Sequence, residues 1–157
     1  MEHGADGKPE YSVVGGAPAS DLQSTAEIES ESAVRLNMLE AIRRTLETEL
    51  RANDRMVVFG EDVGLKGGVH AVTLGLQEQF GERRVYDTGL SEEAIIGRAA
   101  GMSLAGLLPV PEIQFRKYAD PATEQLNNCG TLRWRTANRF ASPMVVRLAG
   151  GLSLIHI

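Results

Sequence analysis

Three polar side chains fall at comparable places along this 157-residue chain: Glu61, Glu92 and Gln114. Each follows or ends a segment that reads as a β-strand. In an open parallel α/β sheet, ligands bind outside the carboxyl ends of the strands. Two carboxylates, the groups of proton exchange, and an amide are thus placed to converge on one crevice. Tyr118, a few residues after Gln114, adds an aromatic wall. Each has an ordinary structural alternative. A glutamate in a helix's first turn favours the helix dipole, so Glu92 on its own also reads as a helix stabiliser. Glu61-Asp62 also reads as a solvated loop, Gln114 as a backbone hydrogen-bonder and Tyr118 as a packed ring.

Other groups carry less. The loop Gly64-Leu65-Lys66-Gly67-Gly68 lacks both the glycine spacing and the Lys-Ser/Thr of a phosphate loop, and reads as a mobile turn. His70 stands beside it without a patterned partner. His3 and His156 lie near the two ends, so a three-histidine metal site is not expected. Ser103 and Ser142 lack a nucleophile elbow. Gly97, Gly101 and Ala105 make a smooth row for close packing, either on the domain's own sheet or on another subunit. Arg133, Arg135 and Arg139 surround Trp134, and a structural or interfacial role is favoured over nucleic acid.

The elements that must position these residues follow from apolar periodicity. Leu36, Leu39, Ile42, Leu46 and Leu50 recur at three- and four-residue steps, which predicts an amphipathic helix over roughly 36–52. Met56-Val57-Val58-Phe59 predicts a strand buried on both faces. A second helix is expected over about 71–80, stopped by Gly81, then a short strand at 84–87. Ser91 is a good N-cap for a third helix of about 92–106. Residues 107–115 predict a strand whose pairing Pro109 and Pro111 limit at the start. A fourth helix is expected within 119–136 and a last strand at 144–148. The alternation predicts an α/β fold: three layers, a mostly parallel sheet with helices on both faces.

Composition agrees. Hydrophobic residues make up 43% and charged residues 24%, a globular balance that excludes wholesale disorder. No apolar run is long enough to span a bilayer. Residues 1–34 hold one base and seven acids, leaving 15 bases and 14 acids in the rest. The acidity therefore belongs to the N-terminal stretch, and a nucleic-acid binder working by bulk charge is not expected. Residues 1–34 read as a disordered arm or linker, 35–151 as one domain, and 152–157 as a terminus foreign to the pattern, from truncation or artefact. The single Cys129 cannot form an internal disulfide. No secretory or transit signal is seen, so a cytoplasmic location is expected.

The stretches VVFGEDVG at 57–64, the glycine pair 67–68, VYDTGLSEEAIIG at 85–97, GLLPVPEIQF at 106–115 and YADPATEQ at 118–125 occur in that order. Over roughly 36–150 the chain resembles the N-terminal, transketolase-like pyrimidine-binding domain of the beta subunit of thiamine-dependent 2-oxo acid dehydrogenases, of the pyruvate and branched-chain type. The tract from Arg116 to Arg135 looks closer to the branch in which alpha and beta parts are fused. The resemblance implies thiamine diphosphate as cofactor, with its diphosphate and Mg2+ on a partner alpha subunit or alpha domain, in an alpha2beta2-like oligomer. It also implies a lipoyl-bearing acyltransferase component as acceptor, and neither nucleic acid nor membrane as partner. It implies that Glu92 is the catalytic carboxyl at the pyrimidine ring, and that Glu61, Leu90, Gln114 and Tyr118 line the cofactor site. No metal ligand is implied on this chain. The runner-up readings are a transketolase- or deoxyxylulose-phosphate-synthase-like enzyme part, and an assembly fragment without turnover.

Overall fold

The computed structural model describes residues 35–150. The expected arm at 1–34 and the terminal stretch from 151 onward lie outside the described residues. Helix α1, Met38–Ala52, starts two residues later than its leucine pattern because Asn37 caps it, accepting from the Glu40 N–H at 2.9 Å. Its inward stripe buries Leu46 and Leu50. Strand β1, Met56–Gly60, is buried along its whole length, as its unbroken apolar run requires.

Only the second half of the expected second helix is present. A single 3-10 turn, Val69–Ala71, precedes helix α2, Leu76–Phe80. The reason is local: His70, Ala71 and Gly75 all have positive φ, near 60°, 57° and 81°, which no α-helix accommodates. Gly81 ends α2 as expected, its N–H returning to Gln77 O.

Strand β2 is Val85–Asp87, and α3, Glu92–Leu104, opens on Ser91, whose hydroxyl accepts from the Ala94 N–H at 3.4 Å. Strand β3 is Leu108–Ile113. A 3-10 segment at Arg116–Ala122 leads into α4, Thr123–Arg135, which lies within the span expected for the fourth helix. Strand β4 is only Arg147–Leu148.

All four strands are parallel, in the order β2-β1-β3-β4. The two prolines of β3 fit because the Pro109 carbonyl accepts from Val145 N while Leu108 N donates to Arg55 O. Alternate residues face alternate neighbours, so both prolines turn their missing N–H away from β1. On that side β4 pairs only with Glu112 and Ile113. Alternation also splits the core. Val58, Val85 and Val110 pack with α1 and α2, while Val57 and Phe59 pack with Ile95 and Ala99 of α3. The expected α/β architecture, a parallel sheet with helices on both faces, is therefore present.

Candidate functional site at the carboxyl ends of the strands

Glu61 follows the last residue of β1 and is 8% exposed. Burial pushes its carboxyl pKa up, and the negative charges of Glu92 and Asp62 push it further. Glu92, the first residue of α3, is therefore near enough to act on Glu61. Among the described residues neither carboxylate is neutralised by a salt bridge. Gly60 explains how β1 delivers Glu61 so close to β3: a Cβ at that position would lie 2.4 Å from the Glu112 carbonyl oxygen.

The segment 61–73 is irregular but heavily tied. Gly68 N donates to Asp62 O at 2.7 Å, Gly64 N to Asp87 Oδ1 at 2.6 Å, and Val69 N to Glu112 Oε1 at 3.0 Å. The buried Thr73 hydroxyl donates to Val63 O at 2.7 Å. Gln114 reaches the same segment, its Nε2 lying 3.5 Å from Asp62 Oδ2, and lines a cavity of about 240 Å³ with Asp62, Gly68 and Phe115. The loop read as a mobile turn is therefore fastened to β2 and β3.

Leu90 and Tyr118 stand apart from this convergence. Leu90 is 83% exposed and lines a separate cavity of about 170 Å³ beside Thr88, whose buried hydroxyl has no partner among the described residues. Tyr118 is 36% exposed and packs edge-on against Phe115 at 5.8 Å. A larger apolar cavity, about 660 Å³, lies between α1 and the β3–β4 side and contains none of the candidate residues. His70 is exposed on the loop. The described residues contain no cluster of three or more metal-ligating side chains, and none of their helices is long and apolar enough to cross a membrane.

Two residues at this end have no role assigned from the sequence, where Asp62 reads only as part of a solvated loop. Asp62 is met by both Gln114 and Lys66, and Glu112 sits 2% exposed within an otherwise apolar strand. The second left a trace: a carboxylate inside a run that must be buried demands a partner.

Comparison with known proteins follows the same outline. The chain is 44% identical over 78% of its length to the 2-oxoisovalerate dehydrogenase subunit beta of Pseudomonas aeruginosa, of which it covers 35%. It is 43% identical over 74% of its length to the pyruvate dehydrogenase E1 component subunit beta of Acholeplasma laidlawii, covering 36% of that protein. It is 42% identical over 83% of its length to the 3-methyl-2-oxobutanoate dehydrogenase subunit beta of Mycobacterium tuberculosis, covering 38%. The chain thus spans little more than a third of these relatives. Residues 35–153 match the family described as transketolase, pyrimidine binding domain, and the chain belongs to that family.

Proposed function

We propose that this chain supplies the pyrimidine-facing half of a thiamine diphosphate site in the first component of a decarboxylating 2-oxo acid dehydrogenase. The observation that carries the reading is the placement of Glu61 just after β1 and of Glu92 at the start of α3 after β2, near enough for their charges to act on each other and free of salt bridges among the described residues. A carboxyl that must share a proton with a neutral ring cannot be locked in an ion pair, so the residues present fit such a cofactor. The beta-subunit names of the relatives support the same class.

When bound, thiamine diphosphate supplies the carbanion chemistry that cleaves a 2-oxo acid beside its carbonyl. The parent reaction is oxidative decarboxylation with acyl transfer to a lipoyl group. In this reading Glu92 holds a proton at a ring nitrogen of the pyrimidine. Glu61, whose raised pKa keeps it protonated further up the pH scale than an ordinary glutamate, takes part in the same proton network. Gln114 orients the ring, and Leu90 and Tyr118 close the site once a partner covers them. That partner is the alpha part, which holds the diphosphate and Mg2+.

The test is Glu92→Gln in the full-length enzyme assembled with its partner. Cofactor affinity falls modestly, and the rate falls about 100- to 10,000-fold, the range for general acid–base assistance. Exchange of the thiazolium proton for deuterium, quenched and read by NMR, isolates that step. Exchange at parental speed with cofactor bound would reject Glu92 and make Glu61 the next candidate. A second reading is an assembly part without turnover of its own. It is checked by decarboxylation with purified chain, thiamine diphosphate, Mg2+ and an artificial electron acceptor. Robust turnover would exclude it.

A further inference from the structure

Glu112 lies near the end of β3, almost fully buried, and its charge is expensive to desolvate unless fully matched. Both oxygens are matched, and by different parts of the chain. Oε1 accepts from Val69 N of the 61–73 segment at 3.0 Å, and Oε2 accepts from Arg147, its register partner on β4. Gly68 is shaped to this contact. A Cβ there would lie 2.8 Å from Oε1 and 3.1 Å from Thr73 Oγ1, so only glycine lets the backbone come down to the carboxylate.

The next link runs from Gly68 N to Asp62 O, beside Glu61. Among the described residues no hydrogen bond holds the Glu61 carboxylate itself. Its position is therefore set by the packing that buries it to 8% exposure and by the backbone that carries it, and that backbone belongs to the segment Glu112 pins.

We propose that Glu112 is a positioning residue: it clamps the 61–73 segment to β3 and β4 and thereby fixes where Glu61 points. The functional meaning of this clamp rests on the reading of Glu61 as part of the cofactor site. Its test needs no cofactor, so its failure and the failure of that reading are separate events.

Two variants of the full 157-residue chain, isotope-labelled, decide it. Glu112→Leu with Arg147→Met replaces the ion pair by apolar groups, which commonly preserves stability, but leaves the Val69 N–H without its acceptor. Glu112→Gln keeps size and shape but weakens the charge-assisted bond. Clamping predicts that Val69 amide exchange accelerates about tenfold or more in the double variant, the loss of one hydrogen bond to a charged group, and less in Glu112→Gln. Val58 N, bonded to Arg84 O in the sheet, stays unchanged. The titration of the Glu61 carboxyl, followed by its carbon shift against its neighbours Glu92 and Asp62, moves toward an ordinary glutamate. If Val69 and Val58 accelerate together, or if Glu61 titrates as in the parent while Val69 is freed, Glu112 is a stability element only and the proposal is wrong. Should the double variant not fold, the same two criteria apply to Glu112→Gln.

Discussion

The 61–73 segment and helix α4 are of similar length and opposite character. The segment contains one short 3-10 turn, yet buries Val63, Val72, Thr73 and Glu61. Helix α4 is regular over Thr123–Arg135 and buries no residue at all. Trp134 at its end is 86% exposed, and a long-range side-chain tie runs from Gln125 Nε2 to Glu93 Oε1 at 3.2 Å. A helix satisfies its backbone internally and can rest lightly on its neighbours. An irregular segment cannot, so β2 and β3 supply Asp87 and Glu112 to receive its N–H groups. Regularity and anchorage are thus separate properties, and here the candidate carboxylate Glu61 sits on the anchored, irregular part.

Glycine-to-alanine substitutions expose the difference, because each region answers the same methyl group differently. The largest effect is expected at Gly60, where the new Cβ would meet the backbone oxygen of Glu112 at 2.4 Å and neither strand can yield without breaking pairing. Gly60→Ala costs about 3 kcal/mol, read by urea denaturation followed by circular dichroism. Trp134 is too exposed to serve as a fluorescence reporter. A loss below about 1 kcal/mol would mean that the β1–β3 contact is loose.

Gly68→Ala comes next. Its backbone, at φ 68° and ψ −172°, is essentially restricted to glycine, and the added methyl crowds Glu112 Oε1. Strain of this kind costs about 1–3 kcal/mol. In α4 the sign reverses. Gly130 has open space where a Cβ would go, and alanine gains about 0.5–1 kcal/mol by lowering the entropy of the unfolded chain and favouring the helix. If Gly130→Ala destabilises, α4 is more closely packed than its exposure implies.

The contrast between these regions was only half visible in the sequence. Elements that follow from local rules were legible. The apolar run Met56–Phe59 is a buried strand, Ser91 caps α3, and the doubly covered parallel sheet follows from the alternation of elements. The rest depends on contacts far apart in sequence. The first half of the helix expected over 71–80 fails because Ala71 and Gly75, like His70 before them, take positive φ, which the sequence does not announce. The 144–148 run pairs over only two residues, since β4 meets β3 only beyond its prolines. At the site, the positions of Glu61, Glu92 and Gln114 at strand ends could be read from spacing. That Glu61 is buried beside a second carboxylate, and that Asp62 and Glu112 hold its segment, required the fold.

A smaller effect, and one that changes with pH, tests the electrostatic side of the comparison. The Glu61 pKa is raised above its ordinary 4.5 by burial first, then by Glu92 and Asp62. The folded state therefore binds the Glu61 proton more tightly than the unfolded state does. The stabilisation this brings is complete below pH 4.5 and is lost as pH rises through the raised folded value. Above that value the charged carboxylate is a burden that glutamine does not carry. Glu61→Gln is thus expected to be more stable than the parent at neutral pH, with the difference shrinking as pH falls below the ordinary carboxylate range. Glu124, in the first turn of α4, is the counterpart. There a negative charge faces the positive end of a helix, and Glu124→Gln loses about 0.3–1 kcal/mol at neutral pH. Urea titrations of both variants at neutral pH give opposite signs if burial and like charge govern Glu61, and the Glu61→Gln advantage shrinks at acid pH. A Glu61→Gln variant less stable than the parent at neutral pH would show that the carboxylate is compensated by a cation, and the two regions would then differ in packing but not in electrostatics.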